Sequence, residues 1–218
     1  MKELFSRHKK TLILTTILCL LPILFGVAMW DQLPDPMPTH FDMNGVPNGW
    51  SSKVFAVFGL PLFLVACEWF CLLATGADPK RRNVPHKVLT LMLWLIPVIT
   101  LISLGSVYAM ALGADMNTPQ LLYPFFSLLF ILVGNYLPKC RQSYTMGIKL
   151  PWTLANEENW NKTHRMAGPV WMLCGVVTLP CFFLPRDFAV TLLFAALFAA
   201  ILIPTVYSFL LARKLKQI

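Results

Sequence analysis

Residues 134–165, GNYLPKCRQSYTMGIKLPWTLANEENWNKTHR, concentrate the side chains of this sequence that hydrogen-bond, carry charge and stack. The run holds four asparagines, two tryptophans, two tyrosines, five lysines or arginines, and a single histidine, His164. A connection this long and this rich in specific polar groups is usually functional. Three chemistries compete for it. His164 with Glu157 or Glu158 would be an acid–base pair, but no nucleophile or metal-binding set accompanies it. Its remaining polar and aromatic residues either form a working face beside the membrane or cap and knit helix ends.

Elsewhere the chemical residues are sparse. Glu68 is the one acid deep in an apolar block, where a charge costs about 2.5–3.5 kcal/mol on insertion scales. It must face protein or water, and two readings stay open: a proton or cation site, or a carboxyl hydrogen-bonded to a neighbouring helix. Cys67 and Cys71 share a helical face, but with no histidine or further thiol they read as small packing residues. Asp42-Met-Asn44-Gly faintly resembles the start of a calcium loop yet lacks the closing ligands, so a turn is expected there. HExxH, GxSxG and phosphate-loop patterns are absent from the sequence; no metal, cofactor or enzymatic activity is expected.

The elements that carry these residues follow from composition. The chain is 57% hydrophobic and only 13% charged, about half the charge of a soluble domain. The apolar residues fall in blocks near the length that crosses a bilayer as helix: Thr11–Trp30, Val54–Gly76, Val88–Leu112, Gln120–Leu137, Ala167–Pro185 and Phe188–Ala212. Backbone in lipid must satisfy its own hydrogen bonds, so an all-α polytopic membrane protein with six transmembrane helices is predicted. The first block has a charged start but no small-residue cleavage site, and is read as a retained helix rather than a signal peptide.

Of eighteen lysines and arginines, only Lys53 and Arg186 fall on one side of this layout. The positive-inside rule then puts both termini in the cytoplasm. The net charge of +8 is a topology signal, and no direct nucleic-acid binding is expected. The outside loop, 31–53, has prolines that extend it and Asn-Gly pairs that turn it; a short ordered extracellular lid is predicted, with Trp30 and Trp50 at the interface. In the cytoplasmic loop, 134–166, Gly147 allows a sharp bend. Thr153 is the expected N-cap of an interfacial helix that rests Leu154, Trp160 and Met166 on the membrane, and Pro169 bends its junction with the fifth span. Prolines in or near every span (Pro22, Pro61, Pro97, Pro124, Pro180, Pro204) would suit kinked helices around a cavity or ordinary packing. Two regions are expected, 1–112 and 113–218, each with three spans; no sequence similarity links them as a repeat.

Specific motifs now carry a resemblance. Gly134-Asn135-Tyr136-Leu137-Pro138-Lys139, Gly147-Ile148-Lys149, Pro151-Trp152-Thr153-Leu154, Asn159-Trp160 and Thr163-His164-Arg165 resemble the signature of the SdpI family, bacterial multi-span proteins named for immunity to a sporulation-delaying toxin. Trp30, Leu33-Pro34, Pro38-Thr39-His40-Phe41, Gly45, Pro47, Gly49-Trp50 and Lys53 resemble the small uncharacterised domain often found at the N-terminus of such proteins. Two positions depart: Lys149 stands where the family has Arg, and Ser143 where it commonly has Asn. Lysine lacks the planar fork of arginine, so a bidentate contact does not carry over.

The resemblance implies a protein of the bacterial cytoplasmic membrane that confers resistance to a secreted antimicrobial peptide, and in the best-known member also recruits a repressor to the membrane. It makes His40, Phe41, Asn44 and Trp50 candidates for engaging the peptide outside. It makes Asn135, Lys139, Arg141, Gly147, Lys149, Trp152, Asn156, Asn159, Trp160 and His164 candidates for signalling inside or for gating a cavity. The alternative, from Glu68 and the prolines, is a proton-coupled transporter or a peptide or lipid flippase.

Overall fold

A computed structural model describes residues 2–42, 45–114 and 118–217. The chain is an all-α polytopic membrane protein: among the described residues, six helices are long and apolar enough to cross a bilayer. They are α1 (Lys2–Ala28), α2 (Leu60–Ala77, entered through one π-helical turn, Phe55–Gly59), α3 (His86–Ala111), α4 (Thr118–Tyr136), α6 (Glu157–Thr178) and α7 (Arg186–Lys214), with a five-residue α5 (Pro151–Ala155) before α6. The contacts divide the chain into two compact units. One holds residues 1–77 and 86–119; the other holds 78–85 and 120–218.

In the first unit, each helix buries one stripe at alternating three- and four-residue steps, the spacing that keeps one face inward. On α1 the stripe is His8, Leu12, Thr15, Cys19, Pro22 and Gly26; on α3 it is Leu89, Leu93, Pro97, Thr100, Leu104 and Val107. The polar members, Thr15 and Thr100, return their hydroxyls to their own helix, Thr15 to the Thr11 carbonyl at 2.8 Å and Thr100 to that of Ile96 at 2.8 Å. The loop 31–53 is built on a β-hairpin, a form the turn residues alone did not define. β1 (Met37–Phe41) pairs antiparallel with β2 (Pro47–Ser51), with register irregularities around His40. Its turn is held by Asp42, whose Oδ1 accepts from the Val46 amide at 2.8 Å, and by Gly45 at φ +72. The hairpin is anchored by Met37, fully buried in a cluster with Leu33, Ala56, Val57, Leu104, Val107 and Tyr108. Lys53 closes the base, donating to the Trp30 carbonyl at 3.0 Å with its ammonium 5.1 Å from the Trp30 ring centre.

In the second unit, α4 and α6 touch backbone to backbone. A Cβ on Gly134 would lie 2.7 Å from the Met172 nitrogen, and one on Gly175 would lie 2.6 Å from the Ser127 carbonyl. Small residues at such a crossing let the helices approach until dispersion and hydrogen bonds hold them in lipid; Ser127 donates to the Thr178 hydroxyl at 2.9 Å. The buried positions of α7 up to Ser208, namely Ala189, Ala196, Ala200, Pro204 and Ser208, are likewise small, and Leu211 is the one large buried side chain of this helix; Ala196 and Ala200 pack with Phe130 and Cys174.

Two expectations are corrected here. α6 runs without a break through Pro169, so no interfacial helix stands apart from the fifth span. Its N-cap is Asn156, whose side chain accepts from the Asn159 amide at 3.0 Å. Thr153 instead sits at the third position of α5 and accepts from the Leu150 amide at 2.9 Å. Asn156 is better placed because its backbone is extended (φ −140, ψ 122), as an N-cap requires.

Candidate functional site

Within the second unit, residues 134–165 fold into a hydrogen-bonded cassette around a buried acid that sequence reasoning missed. Asp78, the residue after α2, is 3% exposed. Its Oδ2 accepts from the Ser143 hydroxyl (2.7 Å), the Tyr144 amide (2.9 Å), the Thr145 amide (3.1 Å) and the Thr145 hydroxyl (2.9 Å). Its Oδ1 accepts from the Lys80 amide at 2.7 Å. Burial pushes this carboxyl up, but the hydrogen bonds from Ser143, Lys80, Thr145 and Tyr144 outweigh it and hold the group below the ordinary carboxylate range, because each donor stabilises the charged form. Asp78 was legible only as the single acid in the basic loop ADPKRRN. Ser143, one of the two departures from the family pattern, is spent on this contact.

Gln142 extends the same lock. Its amide nitrogen donates to the Thr153 and Leu154 carbonyls, both at 2.9 Å. Its side-chain oxygen accepts from the Lys80 ammonium, and its backbone carbonyl accepts from Asn83 at 2.8 Å. The Lys80 ammonium also lies 5.6 Å from the Tyr144 ring centre.

A second layer is built on Trp160 and His164, both buried and one turn apart on α6. The rings stack with centres 4.1 Å apart. Trp160 donates its indole N–H to the Cys140 carbonyl at 2.8 Å. It is 0% exposed, so it does not rest on the membrane surface as expected from its amphipathic ring. His164 receives the Ile148 amide on Nε2 at 2.9 Å, which leaves the proton on Nδ1 to be donated to the Trp160 carbonyl at 2.8 Å. Both ring nitrogens are therefore engaged, and Glu158 pairs with Lys162 at 2.6 Å. The imagined His164–glutamate acid–base pair does not form. Gly147, at φ +110, passes directly over these rings. Cys140 beside them is buried, which pushes its thiol up to about 11 and makes it unreactive.

A third layer ties the end of α7 to the cassette. Asn159, fully buried, donates to the Ser208 carbonyl (3.1 Å) and to the Gln217 side chain (3.0 Å). It accepts from the hydroxyls of Thr163 (3.0 Å) and Ser208 (2.9 Å). Ser208 in turn accepts the indole N–H of half-buried Trp152 at 2.7 Å, whose ring meets Phe209 edge-on. Ser208 and Gln217 had no sequence signal, since their partners are 49 and 58 residues away.

The ten cytoplasmic candidates thus separate. Gly147, Trp152, Asn156, Asn159, Trp160 and His164 knit the cassette. Asn135, Lys139, Arg141 and Lys149 are exposed; Lys139 reaches the Asn135 side chain at 3.1 Å, and Lys149 the Thr145 carbonyl at 3.4 Å. In the first unit, His40 is exposed and its Nδ1 contacts Asn48 Oδ1 at 2.5 Å. Trp50 is 58% exposed, while Phe41 packs against the core beneath the hairpin. Asn44 lies outside the described residues. Glu68 is 0% exposed, accepts from the Thr16 hydroxyl at 3.0 Å on Oε2, and has no partner for Oε1 among the described residues.

Comparison with known proteins follows the same two regions. Residues 139–208 match the SdpI/YfhL protein family, and residues 17–65 match a domain of unknown function, DUF1648. Over 208 residues, 95% of this chain and 98% of the relative, the sequence is 24% identical to the Immunity protein SdpI of Bacillus subtilis (strain 168). No solved structure matches.

Proposed function

We propose, from the match of residues 139–208 to the SdpI/YfhL protein family, that the chain is an immunity protein of the bacterial cytoplasmic membrane, giving resistance to a secreted antimicrobial peptide. The similarity to an immunity protein along almost the whole of both chains carries this reading. Both termini lie in the cytoplasm, on the side that takes sixteen of the eighteen basic residues. The hairpin then faces outward and presents His40 and Trp50 to the peptide. Trp50 offers a large apolar ring with one donor, a side chain suited to an amphipathic ligand. The strand paired with its own is held from below by Met37, so the contact surface is rigid and little ordering is lost on binding.

The cytoplasmic cassette is the signalling face. Its interior is fixed by Asp78, Gln142, Trp160, His164 and Asn159, and its exposed Asn135, Lys139, Arg141 and Lys149 meet a cytoplasmic partner such as a repressor. The protein acts by binding and needs no catalytic group.

The test is expression in a toxin-sensitive bacterium challenged with a broad panel of secreted cationic and hydrophobic peptides. Raised survival against at least one peptide, lost in Trp50→Ala at unchanged protein level, supports the reading. Unchanged killing across the panel removes it.

A second reading, a proton-coupled transporter, is favoured by Glu68, a fully buried carboxyl with one oxygen unpartnered among the described residues. Such a group inside a membrane is functional by default. Peptide or dye flux into proteoliposomes that follows an imposed pH gradient and stops in Glu68→Gln supports it; flux indifferent to the gradient or to the substitution rejects it.

A further inference from the structure

The two segments that Asp78 ties together share an unusual charge balance. Residues 78–85 and 134–149 hold six cations, Lys80, Arg81, Arg82, Lys139, Arg141 and Lys149, and one acid, Asp78. That acid is buried. All the cations except Lys80 are exposed, so the surface is positive with no negative side chain of its own. The segments form one surface: Asn83 bonds the Gln142 carbonyl beside Arg141, and Lys149 folds back to the Thr145 carbonyl. Tyr144 lies between them, 49% exposed and backed by Lys80.

We infer that this surface, with Asp78 as its positioning residue, is a docking face for an acidic polypeptide segment. The inference rests on the cytoplasmic orientation given above and adds the partner's chemistry and the loop 78–85, which no motif marked. Charge complementarity steers an acidic chain to the face and fixes its register. Phospholipid headgroups are also anionic, but they need only cations near the membrane. Here one carboxylate oxygen takes four donors to fix the backbone at 143–145. That rigidity lowers the ordering cost of binding a chain with a set geometry. The half-exposed Tyr144 ring adds an apolar contact that a headgroup does not use.

Charge and geometry are separable at Asp78. Asp78→Asn makes the face more positive by one charge, so attraction alone strengthens binding. Loss of the charged acceptor loosens Ser143–Thr145, so positioning weakens it. Full-length protein in nanodiscs of zwitterionic lipid is titrated with a fluorescein-labelled peptide of alternating glutamate and glycine, at low and physiological salt. The wild type binds, and more weakly as salt rises. Arg81→Gln with Arg82→Gln weakens binding about fivefold, the effect of losing two surface charges, and Asp78→Asn weakens it as well.

Binding that is equal or tighter in Asp78→Asn overturns the proposal, as does no binding by the wild type. So does abolition of peptide binding when the nanodiscs carry anionic lipid, which assigns the face to headgroups. Should Asp78→Asn fail to fold by thermal unfolding, the double arginine variant and Tyr144→Ala carry the test; wild-type affinity in both overturns it. Killing assays on the same variants keep the two readings apart. Lost peptide binding with resistance intact leaves the immunity reading standing, and lost resistance in Trp50→Ala with peptide binding intact leaves this one standing.

Discussion

Gly147→Ala isolates the feature on which the cassette turns. The residue has φ +110, outside the range an alanine adopts without strain, and that strain costs about 1–3 kcal/mol. The added Cβ would lie 2.5 Å from His164 Nε2 and 2.7 Å from two carbons of the Trp160 ring. Neither ring has room to yield. Trp160 is 0% and His164 1% exposed, and each is anchored by its own hydrogen bonds. Relieving the overlap costs about 1–3 kcal/mol more, and losing the Ile148-to-His164 bond adds about 1 kcal/mol.

The expected destabilisation is therefore about 3–7 kcal/mol, at the severe end for one methyl group. Gly113→Ala is the control: its φ is +86, but nothing lies within 4 Å of the added Cβ, so only strain of about 1–2 kcal/mol remains. Unfolding midpoints in a common detergent compare the two. Peptide-resolved maleimide labelling of Cys140, whose carbonyl is the Trp160 acceptor, gives a local readout that rises in Gly147→Ala alone. If the two variants match in midpoint and in labelling, the close approach of Gly147 to the stacked rings does not shape the cassette, and the reasoning fails.

Three further outcomes follow from the same geometry. Asp78 is held below the ordinary carboxylate range, so its stabilising contribution is complete above about pH 4 and fades as pH falls through the lowered folded value; the gap in unfolding midpoint between wild type and Asp78→Asn is flat at neutral pH and closes only in that acidic window, and a gap that widens on acidification contradicts the assignment. Asn159→Ala takes the acceptor from the buried Thr163 and Ser208 hydroxyls and costs about 1–3 kcal/mol, with faster amide exchange in the last turns of α7; unchanged exchange there means the tie is dispensable. In the hairpin, Met37→Ala lowers stability by about 2–5 kcal/mol because it empties a fully buried position, whereas Trp50→Ala stays within about 0.5 kcal/mol, as compared by thermal unfolding; a large Trp50 effect would make that ring structural.

The sequence by itself determined the membrane architecture. Six apolar blocks of bilayer length leave the backbone no option except helices, and the eighteen basic residues divide so unequally between the loops that counting them yields the proposed orientation. It also marked the cytoplasmic run, because polar and aromatic residues stand out against a lipid-facing composition. Within that run it misjudged individual roles. Trp160 reads as an interfacial ring and Thr153 as a cap, since local pattern carries no information about what lies above a side chain. Only the tertiary structure buried Trp160 under Cys140, moved the cap to Asn156, and brought Asp78 to Ser143, 65 residues away in the chain. Hydropathy is a property of a contiguous segment and survives any packing. Hydrogen-bond partnership depends on which distant segments the fold brings within about 3 Å, and a lone Asp in a basic loop is the same letter whether it ends in water or at the centre of a lock.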